Sequence, residues 1–89
     1  MITEDQVIEY FSMTMIGAVI PDGTPMIFIY EHPEDYPELY VARLFNGRCG
    51  THVIAIADTL EELRASKPER MAVIEKQEED PPQIVETWL

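Results

Sequence analysis

Eighty-nine residues, 46% of them apolar, suffice for one small core, and the longest candidate for a membrane helix, Met13 to Ile20, is broken by Thr14 and Gly17 and is far shorter than the ~20 residues needed. Seventeen acids against six Lys and Arg leave a formal charge of −11, which disfavours phosphate backbones and anionic membranes as partners, because both are held by Lys and Arg. The lone cysteine, Cys49, excludes an internal disulfide, and with no basic start or cleavable apolar leader the expected location is the cytoplasm.

At the N-terminus, Thr3 and Gln6 have the spacing of a capping box, and Ile2 and Val7 that of a hydrophobic staple. Val7, Tyr10, Phe11 and Thr14 share a helical face. These signals predict a short helix from Glu4 to Ser12 followed by a strand; one long strand over 7–20 is the competing reading. Met15 to Ile20 and Pro25 to Glu31 read as strands, and Pro21-Asp22-Gly23-Thr24 as the hairpin turn between them. Met26 to Tyr30 is apolar at every position, the pattern of a central strand.

Glu31 to Pro37 holds two prolines and three acids and reads as an exposed loop. Glu38 to Phe45 alternates like a strand, and Asn46-Gly47 is a strong hairpin signal, although the connection through Gly50 reads as longer than two residues. His52 to Ala57 is the next strand. Asp58 caps a helix, Glu61 follows three residues on, Leu60 and Leu63 face inward, and Pro68 ends the element. Met71 to Glu75 reads as a short strand, Lys76 to Pro82 as an acidic loop, and Ile84 to Leu89 as a last strand carrying Trp88. The predicted fold class is α+β: one domain over 1–89, an antiparallel sheet of five to six strands with two short helices packed on one face.

Residues of catalytic or ligating type are sparse. Cys49 and His52 have the Cys-x-x-His spacing of metal sites, and His32 is the only other histidine; Glu31, Glu34 or Asp35 would have to complete a four-ligand set. The same Cys49 and His52, with Asp58, have the residue types of a thiol nucleophile, its base and an orienting acid, but the local run offers no oxyanion hole. Gly17, Gly23, Gly47 and Gly50 form no phosphate-cradling pattern, so no cofactor is expected. Carboxylate runs in Pro-containing loops ordinarily stay solvated rather than converging on a reaction centre.

The charge distribution is lopsided. Residues 1–42 carry eight acids and no Lys or Arg, whereas the remainder carries nine acids and all six basic residues. Solubility alone accounts for this; the functional alternative is a basic protein partner. On that alternative the contact residues are Glu34, Asp35, Tyr36 and Glu38 in one loop and Glu78, Glu79 and Asp80 in another, with Tyr36 as the aromatic anchor.

Two segments carry resemblances. Ala57-Asp58-Thr59-Leu60-Glu61-Glu62-Leu63-Arg64-Ala65, followed by Pro68 and then Asp80-Pro81-Pro82-Gln83-Ile84-Val85-Glu86-Thr87-Trp88-Leu89, resembles a group of small uncharacterised bacterial or phage-borne proteins. That likeness implies a mobile-element origin and no particular site. Tyr40 to Ala65 resembles HicB-like antitoxins, which implies a β-β-β-α-β order and the neutralisation of a small basic toxin. The Pro-Gly-Cys segment of those antitoxins is replaced here by Asn46-Gly47-Arg48-Cys49-Gly50. The expected function is a non-enzymatic acidic interaction module of inhibitor or antitoxin type. The alternatives are a metal protein or enzyme using Cys49, His52 and His32, and a homodimeric structural subunit paired through the strand at Ile84 to Leu89.

Overall fold

The computed structural model describes residues 5–89. The elements in chain order are β1 (Gln6–Val7), α1 (Met13–Val19), β2 (Pro25–Glu31), β3 (Tyr40–Asn46), β4 (Cys49–Ala57), α2 (Leu60–Arg64), β5 (Val73–Glu75) and β6 (Ile84–Trp88). The β3–β4 hairpin closes through Gly47 and Arg48 alone, since Asn46 pairs with Cys49. Gly47 takes a φ of +58°, a conformation that costs a residue without Cβ nothing. The expected longer connection is therefore a two-residue loop, and the strand begins at Cys49 rather than His52.

The six strands form one sheet in the order β1-β4-β3-β2-β6-β5. β1 runs parallel to β4, and every other pair is antiparallel. The fold class is thus α+β, and β2 lies centrally between β3 and β6. On one sheet face Ile27, Ile29, Ala42, Leu44 and Trp88 join Phe11, Ile16 and Ile20 from around α1 and Leu63 from α2 in a single core. Both helices therefore cover the same face. No helix among the described residues is long and apolar enough to cross a membrane.

Two N-terminal assignments are reversed. The segment expected to be helical contains β1, and the segment expected to be a strand is α1. Ser12 starts a helix instead of ending one: its backbone is extended, and its hydroxyl accepts the Met15 N–H at 3.1 Å. The proposed capping box lies partly outside the described residues, at Thr3; its other half, Gln6, pairs with Val53 in the sheet. Pro21 to Thr24 consequently leads from helix to strand and is not a hairpin turn. That connection is fastened by Asn46, whose side-chain carbonyl accepts the Thr24 N–H at 3.1 Å.

At α2 the cap is Thr59, not Asp58. The Thr59 Oγ1 accepts the Glu62 N–H at 3.1 Å and donates to the Glu62 carboxylate at 3.1 Å. β4 runs through Ala57, paired with Tyr40, so Asp58 is spent on the bend. The expected strand from Met71 begins at Val73, because Met71 packs into the core. β6 hydrogen-bonds to β2 on one side and β5 on the other. It is therefore not an edge strand: β5 covers Glu86 to Trp88, which argues against a dimer paired along the length of Ile84 to Leu89.

Candidate interaction surface

The turns bring the acidic loops to one end of the sheet. The 31–39 loop leaves the end of β2 and closes on itself where the His32 N–H donates to the Leu39 carbonyl at 2.9 Å. The loop before β6 lies beside it, with the Glu31 N–H on the Gln83 carbonyl at 2.8 Å. Asp58, directly after β4, belongs to the same end because Ala57 pairs with Tyr40, which in turn pairs with Glu31. Asp35, Glu38 and Asp58 accordingly surround a shallow hollow of about 280 Å³, which is also lined by Tyr36, Pro37 and Leu39 and by no cation. All three acids are exposed, as are Glu34, Glu78 and Glu79.

Tyr36 is half-buried and already engaged: its hydroxyl donates to Asp5 at 3.2 Å. Asp5 is the centre of a polar cluster on the sheet face that the helices leave bare. Its carboxylate, only 3% exposed, accepts Arg43 through Nη1 at 2.9 Å and Nη2 at 3.1 Å, with His52 Nδ1 at 3.6 Å. The Arg43 guanidinium holds the Asp5 carboxyl below the usual carboxylate range despite the opposing effect of burial. Burial, and then the bond to Asp5, push the Tyr36 phenol up. Arg43 also donates to the Thr51 carbonyl at 2.8 Å and stands 3.6 Å from Asp35. This cluster pins the N-terminal segment and the acidic loop across the sheet, so Tyr36 acts as an internal tie as well as lining the hollow.

Asp80 is committed in part, with Oδ2 accepting the Gln77 N–H at 2.8 Å. It also lines a second hollow, a groove of about 450 Å³ formed by Phe28, Tyr30, Phe45, Arg48, Asp80, Pro81 and Ile84. The groove is not legible in the sequence, because Met26 to Tyr30 is apolar at every position and nothing in the chain shows which face lacks a helix.

The metal candidates are dispersed. His32 lies in the acidic loop with its ring against Tyr40, 5.4 Å between centroids. Cys49 is exposed at the opposite end, beside the hairpin, and His52 faces Asp5. Among the described residues no group of three or more His, Cys, Asp and Glu side chains is placed to hold a metal ion. Asp58, the suggested orienting acid, belongs to the acidic hollow at the far end of β4 from Cys49.

A second carboxylate is internal. Glu86, 3% exposed, accepts Arg64 Nη2 at 2.5 Å and Nε at 3.1 Å, and the indole N–H of Trp88 at 2.8 Å. Burial alone would raise its carboxyl; the Arg64 and Trp88 bonds outweigh it and hold the group low. This constellation ties α2 to β6 and leaves Glu86 no role at the surface. The chain matches no protein-family model, no curated protein and no solved structure.

Proposed function

We propose that the protein is a non-enzymatic interaction module that binds a basic partner through the acidic end of its sheet. The observation that carries this reading is the hollow of Asp35, Glu38 and Asp58, drawn from two separate loops and held by the closed 31–39 loop, in which no Lys or Arg lines the wall and only Asp35 has a cation nearby, Arg43 at 3.6 Å. Exposed carboxylates in such an arrangement steer a basic patch into contact and raise the association rate more than the intrinsic affinity. Glu34 in the same loop, and Glu78 and Glu79 in the loop before β6, add exposed negative charge at this end of the sheet. An inhibitor or antitoxin is one form of this function, and the run β2-β3-β4-α2 with strands after it is compatible with the order implied by the antitoxin likeness.

The test is capture of a basic protein by immobilised chain at low ionic strength, followed by binding measurements on the purified pair. The expected result is an association rate that falls steeply with salt and drops about tenfold or more in Asp35→Asn/Glu38→Gln/Asp58→Asn. Binding that ignores both salt and these substitutions overturns the reading.

A further inference from the structure

Among the described residues the sheet has a helix layer on one face only. On the other face, the Asp5 cluster and the 31–39 loop lie over β3 and β4, where Val41 and Ile54 are buried. The part built on β2 and the start of β6 stays open as the 450 Å³ groove. Its floor is aromatic: Phe28 and Phe45 meet edge to face at 4.7 Å, and Tyr30 continues the row. Gly50 allows this, since a Cβ there would press on the Phe45 ring at 3.2 Å.

The two ends of the groove carry opposite charges. Arg48 sits in the hairpin loop, beside the Pro25 end of β2, because Asn46 pairs with Pro25. Asp80 sits in the loop that enters β6, beside the other end, because Ile84 pairs with Tyr30. Met26 to Tyr30 covers four steps along the strand, about 13 Å, with Phe28 midway. Neither Arg48 nor Asp80 has an ion-pair partner among the described residues.

We propose that this face is a self-association surface, on which two copies pack groove to groove about a two-fold axis near Phe28, and Arg48 of each copy meets the partner subunit's Asp80. A two-fold axis exchanges the ends of the groove, so ends of opposite sign are what a self-complementary contact requires. The same geometry lays the acidic end of one copy over the hairpin end of the other, which keeps the two most negative regions apart. A uniformly basic segment fits less well, since it would meet Arg48 as a like charge. A contact confined to this one groove belongs with the small, transient class of interfaces, and the dimer is weak and reversible. It leaves the hollow at Asp35, Glu38 and Asp58 open, so it stands independently of the proposed partner.

Sedimentation equilibrium of the full chain, from about 10 µM to about 1 mM, tests it; the expected dissociation constant lies within that range, typical of small interfaces. Arg48→Asp and Asp80→Lys are each expected to weaken the dimer by about tenfold or more, and their combination to return it to within about threefold of the unsubstituted chain, as reciprocal charge exchange demands. Arg48→Lys keeps the dimer. Because Asp80→Lys also removes the acceptor for Gln77, the contrast between Arg48→Asp and Arg48→Lys tests the charge requirement without touching a bond internal to the fold. A chain that stays monomeric throughout the range overturns the proposal, as does a dimer indifferent to these exchanges. Saturable binding of a Lys- and Pro-rich peptide to the monomer, with NMR shifts at Phe28 and Phe45, would assign the groove to a basic segment instead.

Discussion

Asp5 and Glu86 are carboxylates withdrawn from water, and each is matched by a two-pronged guanidinium, Arg43 for one and Arg64 for the other. Both carboxyls are held below their ordinary range in the folded chain. Their contribution to stability is therefore complete above that range and lost as pH falls through the lowered folded values. At neutral pH, Asp5→Asn is expected to cost about 1–3 kcal/mol, because Arg43 keeps its charge but loses its acceptor. Denaturant titrations from about pH 7 to about pH 3 check this: the gap between the original chain and the variant should close as acid protonates Asp5. A gap of constant size would contradict the pairing. Neither partnership could be read from residue types alone, since Asp5 and Arg43 lie 38 positions apart and Arg64 and Glu86 lie 22. Only Trp88, two residues beyond Glu86 on the same strand face, gave a local hint of a buried acceptor.

At the scale of elements, the two short helices depend on their caps, having seven and five residues in which to make internal bonds. Ser12→Ala and Thr59→Ala are each expected to cost about 1 kcal/mol, measured as a drop in the unfolding midpoint without a change in slope. The same caps explain what could be read from the chain and what could not. The hairpin, the central strand and the second helix announce themselves through Asn46-Gly47, the unbroken apolar run at Met26 to Tyr30 and the inward Leu60 and Leu63 behind a cap, but α2 ends at Arg64 and not at Pro68, because the Ala65 and Ser66 amides turn back onto the Glu62 and Leu63 carbonyls. Asp58-x-x-Glu61 and Thr59-x-x-Glu62 offer the same capping signal one residue apart, and the length of β4 decides between them. At the N-terminus, Thr3-x-x-Gln6 competes with a lone Ser12. The outcome depends on β1 docking beside Val53 and Ile54, a contact between distant parts of the chain that no local periodicity encodes.

For the whole molecule, a charge of −11 on 89 residues means that folding gathers like charges together. Raising salt from about 10 mM to about 150 mM shortens the screening length from ~30 Å to ~8 Å and should raise the thermal midpoint, because relief of surface repulsion outweighs losses in the shielded Asp5 and Glu86 pairs. A midpoint that falls would mean the ion pairs dominate. The acids were countable from the chain, but the meeting of Asp35, Glu38 and Asp58 at one hollow follows from sheet order, which brings the end of β4 beside the 31–39 loop.

That sheet order has one more outcome. Among the described residues its outermost strands are its shortest, two residues in β1 and three in β5. The margins therefore offer few unclaimed amides and carbonyls on which another chain could template, and Lys76 follows β5 at once. A sheet bounded in this way resists open-ended growth into fibrils even when the protein is concentrated.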